Sequence, residues 1–169
     1  MTATLHMICG KIAAGKSTFA AQLEEEGALR LSEDTLLAVL YPEELRSPKD
    51  YVQYSARLRA AIGPHVVGLL QAGVAVVLDF PANTVANRDW MRGLFTEAGA
   101  DHQLHLLNVP DEVCLARLHA RNAAGDHPFA ATEEQFRLFS AHYLPPLSGG
   151  RLYRCDARLS AASPTLRPV

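Results

Sequence analysis

Residues Gly10 to Ser17 read G-K-I-A-A-G-K-S, and they constrain the fold of this chain more than any other segment. They match G-x-x-x-x-G-K-[ST], follow the short apolar run Leu5 to Cys9, and lead into a helix-like stretch. In that context a buried strand delivers the chain into a glycine-permitted turn whose backbone N–H groups face inward, and the next helix adds the partial positive charge of its N-terminus. The product is a socket for polyphosphate. Gly10, Lys11, Ile12, Ala13, Ala14, Gly15, Lys16, Ser17 and Thr18 are its candidate lining. Lys16 is expected to reach the β and γ phosphates, and the Ser17 hydroxyl to complete an octahedral Mg²⁺ that keeps most of its waters.

With 169 residues, 49% of them hydrophobic and 20% charged, the chain is long enough for one compact core and has no global bias toward nucleic acid or membrane. Its formal net charge is −2, so any basic surface must be local. Lys11, Lys16 and Lys49 are the only lysines, so arginine does most of the cationic work. Cys9, Cys114 and Cys155 are odd in number, widely spaced and set in apolar stretches, which reads as buried thiols rather than a disulfide framework or metal site. The N-terminus lacks a secretory pattern and no apolar run spans a bilayer, so the expected location is cytoplasmic.

Three further segments resemble buried strands: Ala28 to Leu31, Val74 to Leu78 and Leu104 to Val109. Helical patterns lie between them at Lys16 to Glu26, Pro48 to Gln71 and Ala86 to Ala98, each followed closely by glycine. Gly63 and Pro64 leave open whether the long stretch is one kinked helix or two. A helix over Glu112 to Asn122 follows Pro110 and Asp111; Ala123 to Ala131 reads as a mobile loop; Thr132 and Gln135 fit a capping box. Leu152 to Cys155 is a candidate last strand. The alternation predicts a parallel sheet with helices on both faces and ligands outside the carboxyl ends of the strands. Residues 1–159 are read as a single α/β domain with a lid around 117–135, and residues 160–169 as a flexible tail.

Chemistry-bearing residues cluster at the predicted strand ends. Val76-Val77-Leu78-Asp79 ends an apolar strand in a carboxylate suited to organising a magnesium shell. Leu31-Ser32-Glu33-Asp34 leaves the second strand, and Asp34 either activates an attacking hydroxyl or, like Ser32, caps the next helix. Glu33 is expected to face solvent more often than not. Arg117 and Arg121 share one helix face and can clamp a transferring phosphate or simply be solvated. Arg88 and Arg92 repeat that spacing near Asn83 and Asn87, which makes Asn83 and Arg88 candidate acceptor contacts. His65, His119, His127 and His142 lack metal-ligand spacing, and Trp90 and Met91 read as core packing.

These four segments, at 10–17, 31–34, 76–80 and 109–122, resemble the small P-loop kinase group that includes polynucleotide 5′-hydroxyl kinase domains, zeta-toxin-like kinases and bacterial AAA-domain proteins. The resemblance covers roughly residues 4 to 147. It implies a three-layer α/β/α fold with a five-stranded parallel sheet and a helical lid, and phosphoryl transfer from ATP, with Mg²⁺, to a hydroxyl. It implies roles for Asp34 as hydroxyl-activating carboxylate, Asp79 as acidic strand-end residue, and Arg117 and Arg121 as lid arginines. Polynucleotide kinases of the group usually carry arginine three residues after the activating aspartate, where this chain has Leu37. With no basic stripe either, the expected acceptor is a small-molecule hydroxyl compound, with a nucleic-acid end or a protein partner of a regulatory ATPase as alternatives. Oligomeric state is left open.

Overall fold

The computed structural model describes residues 2–125 and 130–146, together with the backbone of 153–154 and 167–168. The order of elements is β1 (Thr4–Cys9), α1 (Lys16–Glu25), β2 (Leu29–Ser32), α2 (Glu33–Leu40), α3 (Pro48–Gln71), β3 (Val76–Pro81), α4 (Val85–Ala98), β4 (Asp101–Leu106), α5 (Asp111–Ala124), α6 (Glu133–Ala141), β5 (Tyr153–Arg154) and β6 (Arg167–Pro168).

The central sheet is parallel, with strand order β2-β3-β1-β4, so β1 and β3 lie in its interior and β4 forms one edge. Interior strands of a parallel sheet are covered on both faces and read as continuous apolar runs. That is why Val76, Val77 and Leu78 are all fully buried. Edge position explains why β4 starts earlier than its apolar run: Asp101 and His102 are exposed on the edge strand, and only the later residues turn inward.

Two apolar layers flank the sheet. One packs Leu5, Met7 and Leu78 with Leu37, Leu58, Val66 and Met91 of α2, α3 and α4. The other packs Ile8 and Val77 with Phe19, Leu23, Cys114, Leu118 and Phe136 of α1, α5 and α6. The three-layer α/β/α reading therefore stands, but the fifth parallel strand does not. Tyr153–Arg154 pairs antiparallel with Arg167–Pro168, apart from the parallel sheet. Arg151, Arg154 and Asp156 put charge into this segment, which does not suit a strand covered on both faces. Leu152, Cys155 and most of the expected tail lie outside the described residues.

The long helical stretch is one helix. Pro48 occupies its first turn behind the Ser47 cap, and Pro64 lies within it. Gly63 is buried where α3 meets α4, and a Cβ there would reach 3.4 Å from Leu94 Cδ2. A small residue at that contact lets the two helices approach despite the lost main-chain bond at proline. The capping box of α6 forms as expected between Thr132 and Gln135. α5 runs two residues beyond Asn122, to Ala124, and residues 126–129 of the expected mobile loop, His127 among them, lie outside the described residues.

Candidate active site

Between β1 and α1 the chain makes the turn expected of its sequence. Gly15 sits at φ 98°, and Ala13 also has positive φ, a left-handed geometry costly for any residue but glycine. Gly10 matters for a different reason. A Cβ there would lie 3.1 Å from Leu107 Cβ and 3.2 Å from Leu107 O, a tight contact that Leu107 would have to yield to by a few tenths of an ångström. Asn83, just after β3, clamps the same residue twice: its Oδ1 accepts from Gly10 N at 2.9 Å and its Nδ2 donates to Gly10 O at 2.9 Å.

Lys16 folds back into this turn and donates to Gly10 O at 2.9 Å and Lys11 O at 2.8 Å. Burial lowers its pKa, while the carboxylates of Asp79 and Asp34 push it back up. An ammonium held by two carbonyls and drawn to two nearby carboxylates is poised over the loop. Ser17 Oγ donates to Asp79 Oδ1 at 3.3 Å, so the two candidate magnesium ligands are neighbours. The register of β2 against β3 pairs Ser32 with Asp79, and the other Asp79 oxygen accepts from Arg30 of β2 at 2.6 Å. Asp79 lies inside β3 rather than at its end, because the strand continues to Pro81.

A cavity of about 1850 Å³ opens from the phosphate loop toward α3, α4 and α6. Lys16, Ser17, Asp34, Asp79, Arg117 and Arg121 all line it. Asp34 occupies the first turn of α2, and the cap of that helix is Ser32, whose Oγ accepts from Thr35 N. The alternative role considered for Asp34, capping, is thus taken by its neighbour. Arg117 reaches Ala14 O at 3.5 Å from α5, directly over the loop. Arg121, one turn on, has its pKa lowered by burial and supported by the charge of Asp34, and its Nε is buried without a hydrogen bond. The two arginines therefore face the loop.

Two other sequence candidates are engaged elsewhere. Arg88 donates through Nη1 to Ala82 O at 2.9 Å and Leu144 O at 2.8 Å, tying the segment after β3 to the one after α6, and it is not among the residues lining the cavity. Arg92 pairs with Asp89 on the exposed face of α4. Asn83 does line the cavity, with its amide committed to Gly10.

Glu33 corrects the sequence reading most. Expected to face solvent, it is 1% exposed. Tyr51 donates to its Oε2 at 2.7 Å, and Arg59 donates from Nη2 to Oε1 at 3.1 Å. Arg59 also donates from Nη1 to Asn87 Oδ1 at 2.6 Å, and Asn87 in turn donates to Pro81 O at 2.8 Å. The guanidinium of Arg59 lies 5.4 Å from the centre of the Trp90 ring. Burial raises the pKa of Glu33, opposed by the charge of Arg59 and the Tyr51 hydrogen bond, and burial with the adjacent Glu33 raises that of Tyr51. This network joins α2, α3, α4 and the end of β3 behind Asp34. Its signal in the sequence is Tyr51, Ser55 and Arg59 at steps of four along a helix whose buried stripe continues through Ile62 and Val66.

With this geometry, a family model described as an AAA domain matches residues 5–146. The chain belongs to the AAA-domain family. No curated protein matches its sequence. Among solved structures, a protein from Chloroflexus aurantiacus is similar, with 22% identity, a TM-score of 0.71, and coverage of 90% of this chain and 84% of that one. The APS kinase of Mycobacterium tuberculosis, in complex with AMPPNP and APS, is similar at 21% identity and TM-score 0.65, covering 94% of this chain and 91% of that one. A chain of an RNA repair complex gives 20% identity and TM-score 0.67 over 83% of this chain but 44% of that one. The fold of this AAA-domain chain is that of P-loop kinases. Among its described residues no helix is long and apolar enough to cross a membrane.

Proposed function

We propose that this protein is an ATP-dependent kinase that transfers the γ-phosphoryl group to a hydroxyl of a small-molecule acceptor. One observation carries the reading: Asp34 lines the same cavity as Lys16, Asp79, Arg117 and Arg121, so a carboxylate stands among the groups a transferring phosphoryl needs. Gly10 to Thr18 would hold the phosphates, in the turn that the positive φ of Gly15 permits. Ser17 and Asp79, two oxygen donors already side by side, suit Mg²⁺, which takes oxygen ligands and few protein groups. Bound there, the ion would offset charge on the phosphates.

In the transfer, the acceptor oxygen bonds to the γ-phosphorus of ATP, the bond from that phosphorus to the departing ADP breaks, and the acceptor proton passes to Asp34. Arg117 and Arg121 neutralise the charge that spreads over the transferring oxygens. Glu33 and its partners hold the first turn of α2, and with it the placement of Asp34.

Likeness to a chain of an RNA repair complex supports a second reading, a polynucleotide 5′-hydroxyl kinase. Against it, Leu37 is fully buried in the apolar layer of α2, so this position presents no cation to the cavity. The test is ADP release from Mg·ATP by wild type and Lys16→Ala, with pools of neutral alcohols, sugars, nucleosides, aminoglycosides and 5′-hydroxyl oligonucleotides. Acceptor-dependent release lost in Lys16→Ala is expected. Equal release in every pool overturns the kinase reading and favours a regulatory ATPase that works through a protein partner.

A further inference from the structure

The acceptor half of the cavity differs from the phosphate half in both charge and polarity. Three large apolar side chains left in water lie there: Val52 of α3 is 62% exposed, and Leu138 and Phe139 of α6 are 48% and 37% exposed, and all three line the cavity. Tyr51 and Phe139 meet edge to face at 6.4 Å, so the α3 and α6 walls converge there. Trp90 of α4 lines the cavity too, beside Arg59 of α3.

The charges on this side are few. Arg46 and Arg59 line it with Asp34, and the charge of Arg59 is met by Glu33 behind the wall. A polycationic acceptor needs a surplus of carboxylates, and a polyanionic one a surplus of free cations, because each gains most of its affinity by neutralisation. Beside the apolar residues stand neither several carboxylates nor several unpaired cations: Arg59 is paired with Glu33, and Arg46 donates through Nε to Glu43 O. What the wall offers is apolar area with few polar groups, the lining that binds an uncharged body and orients it by one or two hydrogen bonds.

Resting on the kinase reading above, we propose that the acceptor is an uncharged, ring-bearing alcohol whose apolar body packs between Val52, Trp90, Leu138 and Phe139 and presents its hydroxyl to Asp34. Trp90 is the only tryptophan in the chain, so its fluorescence reports this wall alone.

The experiment titrates the full chain with 2-phenylethanol, cyclohexylmethanol and menthol, and with ribose 5-phosphate, kanamycin and a 5′-hydroxyl oligonucleotide as charged comparators. It follows Trp90 emission and, separately, ADP release from Mg·ATP. Val52→Asp adds a charge at an exposed position and should fold normally. At least one ring alcohol should change Trp90 emission saturably and stimulate ADP release, and Val52→Asp should raise its half-saturating concentration about tenfold with a much smaller change in kcat. If only charged acceptors are phosphorylated, this proposal fails and the kinase reading stands. If a ring alcohol binds in a Val52-dependent way and no acceptor stimulates release, the site stands and the kinase reading fails. Neither binding nor release with any ring alcohol overturns the proposal.

Discussion

The two ends of the cavity are built in opposite ways. At the phosphate end, one continuous stretch supplies the turn, its lysine and its serine, and main-chain atoms do much of the holding: Lys16 rests on the carbonyls of Gly10 and Lys11. At the acceptor end, side chains from α2, α3 and α4 hold one another, through Glu33, Tyr51, Arg59 and Asn87. A main-chain cradle is set by glycine positions and a local turn, and so is written in consecutive residues. A side-chain network depends on how helices far apart in sequence come to pack. The first is recognisable in any chain that carries it, while the second shows only once the helices are packed.

Substitutions at the two ends should separate these designs. Lys16→Ala removes the one side chain the cradle cannot replace, and turnover of Mg·ATP should fall by more than about 10³-fold with the fold intact. ADP release and thermal unfolding measured on the same preparation check this. Retained turnover would mean that the cradle alone suffices. Asp34→Asn should lower acceptor-dependent kcat by about 10³-fold, within the range for a positioned base, while leaving nucleotide binding near its wild-type value. Full transfer by Asp34→Asn would remove the proposed proton acceptor.

Glu33→Ala tests the acceptor end through stability. Arg59 would be left largely buried with its ion pair gone, and breaking one side of such a pair costs about 3 kcal/mol or somewhat more. For a domain of this size that is a fall in Tm of roughly 6 to 12 °C. Adding Arg59→Met should recover much of the loss, since an apolar pair of similar volume can replace a buried ion pair. A Glu33→Ala protein as stable as wild type would show that the network does not hold this wall.

The same contrast explains what could be read before the structure. The turn at 10–17 was legible because glycine, lysine and serine stand at a fixed spacing, and the strand that carries Asp79 because its apolar run is continuous. The order of strands and helices was legible from apolar runs and glycine stops. Glu33 was misjudged because a charged residue at a strand-to-helix junction is usually solvated, and its partners Tyr51 and Arg59 lie more than fifteen residues away, on another helix. Arg88 matched the spacing of a binding pair, yet main-chain carbonyls at Ala82 and Leu144 occupy it, and Leu144 O enters only through tertiary packing. The fifth strand was misplaced because a strand of two residues, Tyr153–Arg154, carries no pattern that reveals which sheet it joins.

A part-buried histidine pair outside the cavity provides the finest comparison. His6 of β1 and His105 of β4 are 3.1 Å apart between their ring nitrogens and stack at 5.3 Å, with Phe19 tilted against His105 at 4.8 Å. Burial, with a smaller contribution from His6, lowers the pKa of His105 to about 4, and burial also lowers that of His6. Between the ordinary value of 6.5 and about 4, the unfolded chain binds protons that the folded one refuses, so stability falls as pH drops through that window. From pH 7 to pH 5 the expected loss from His105 is about 2 kcal/mol. Glu33 has the opposite sign: with its pKa raised on folding, the folded state takes up its proton first, and acidification just above the ordinary carboxylate range favours the native form. Urea unfolding across this range therefore separates the two designs. His105→Asn, which keeps a polar group but does not titrate, should flatten the acid loss, whereas Glu33→Gln should steepen the net decline by removing the opposing uptake. An unchanged slope in His105→Asn would mean that the histidine pair does not set the acid sensitivity of the fold.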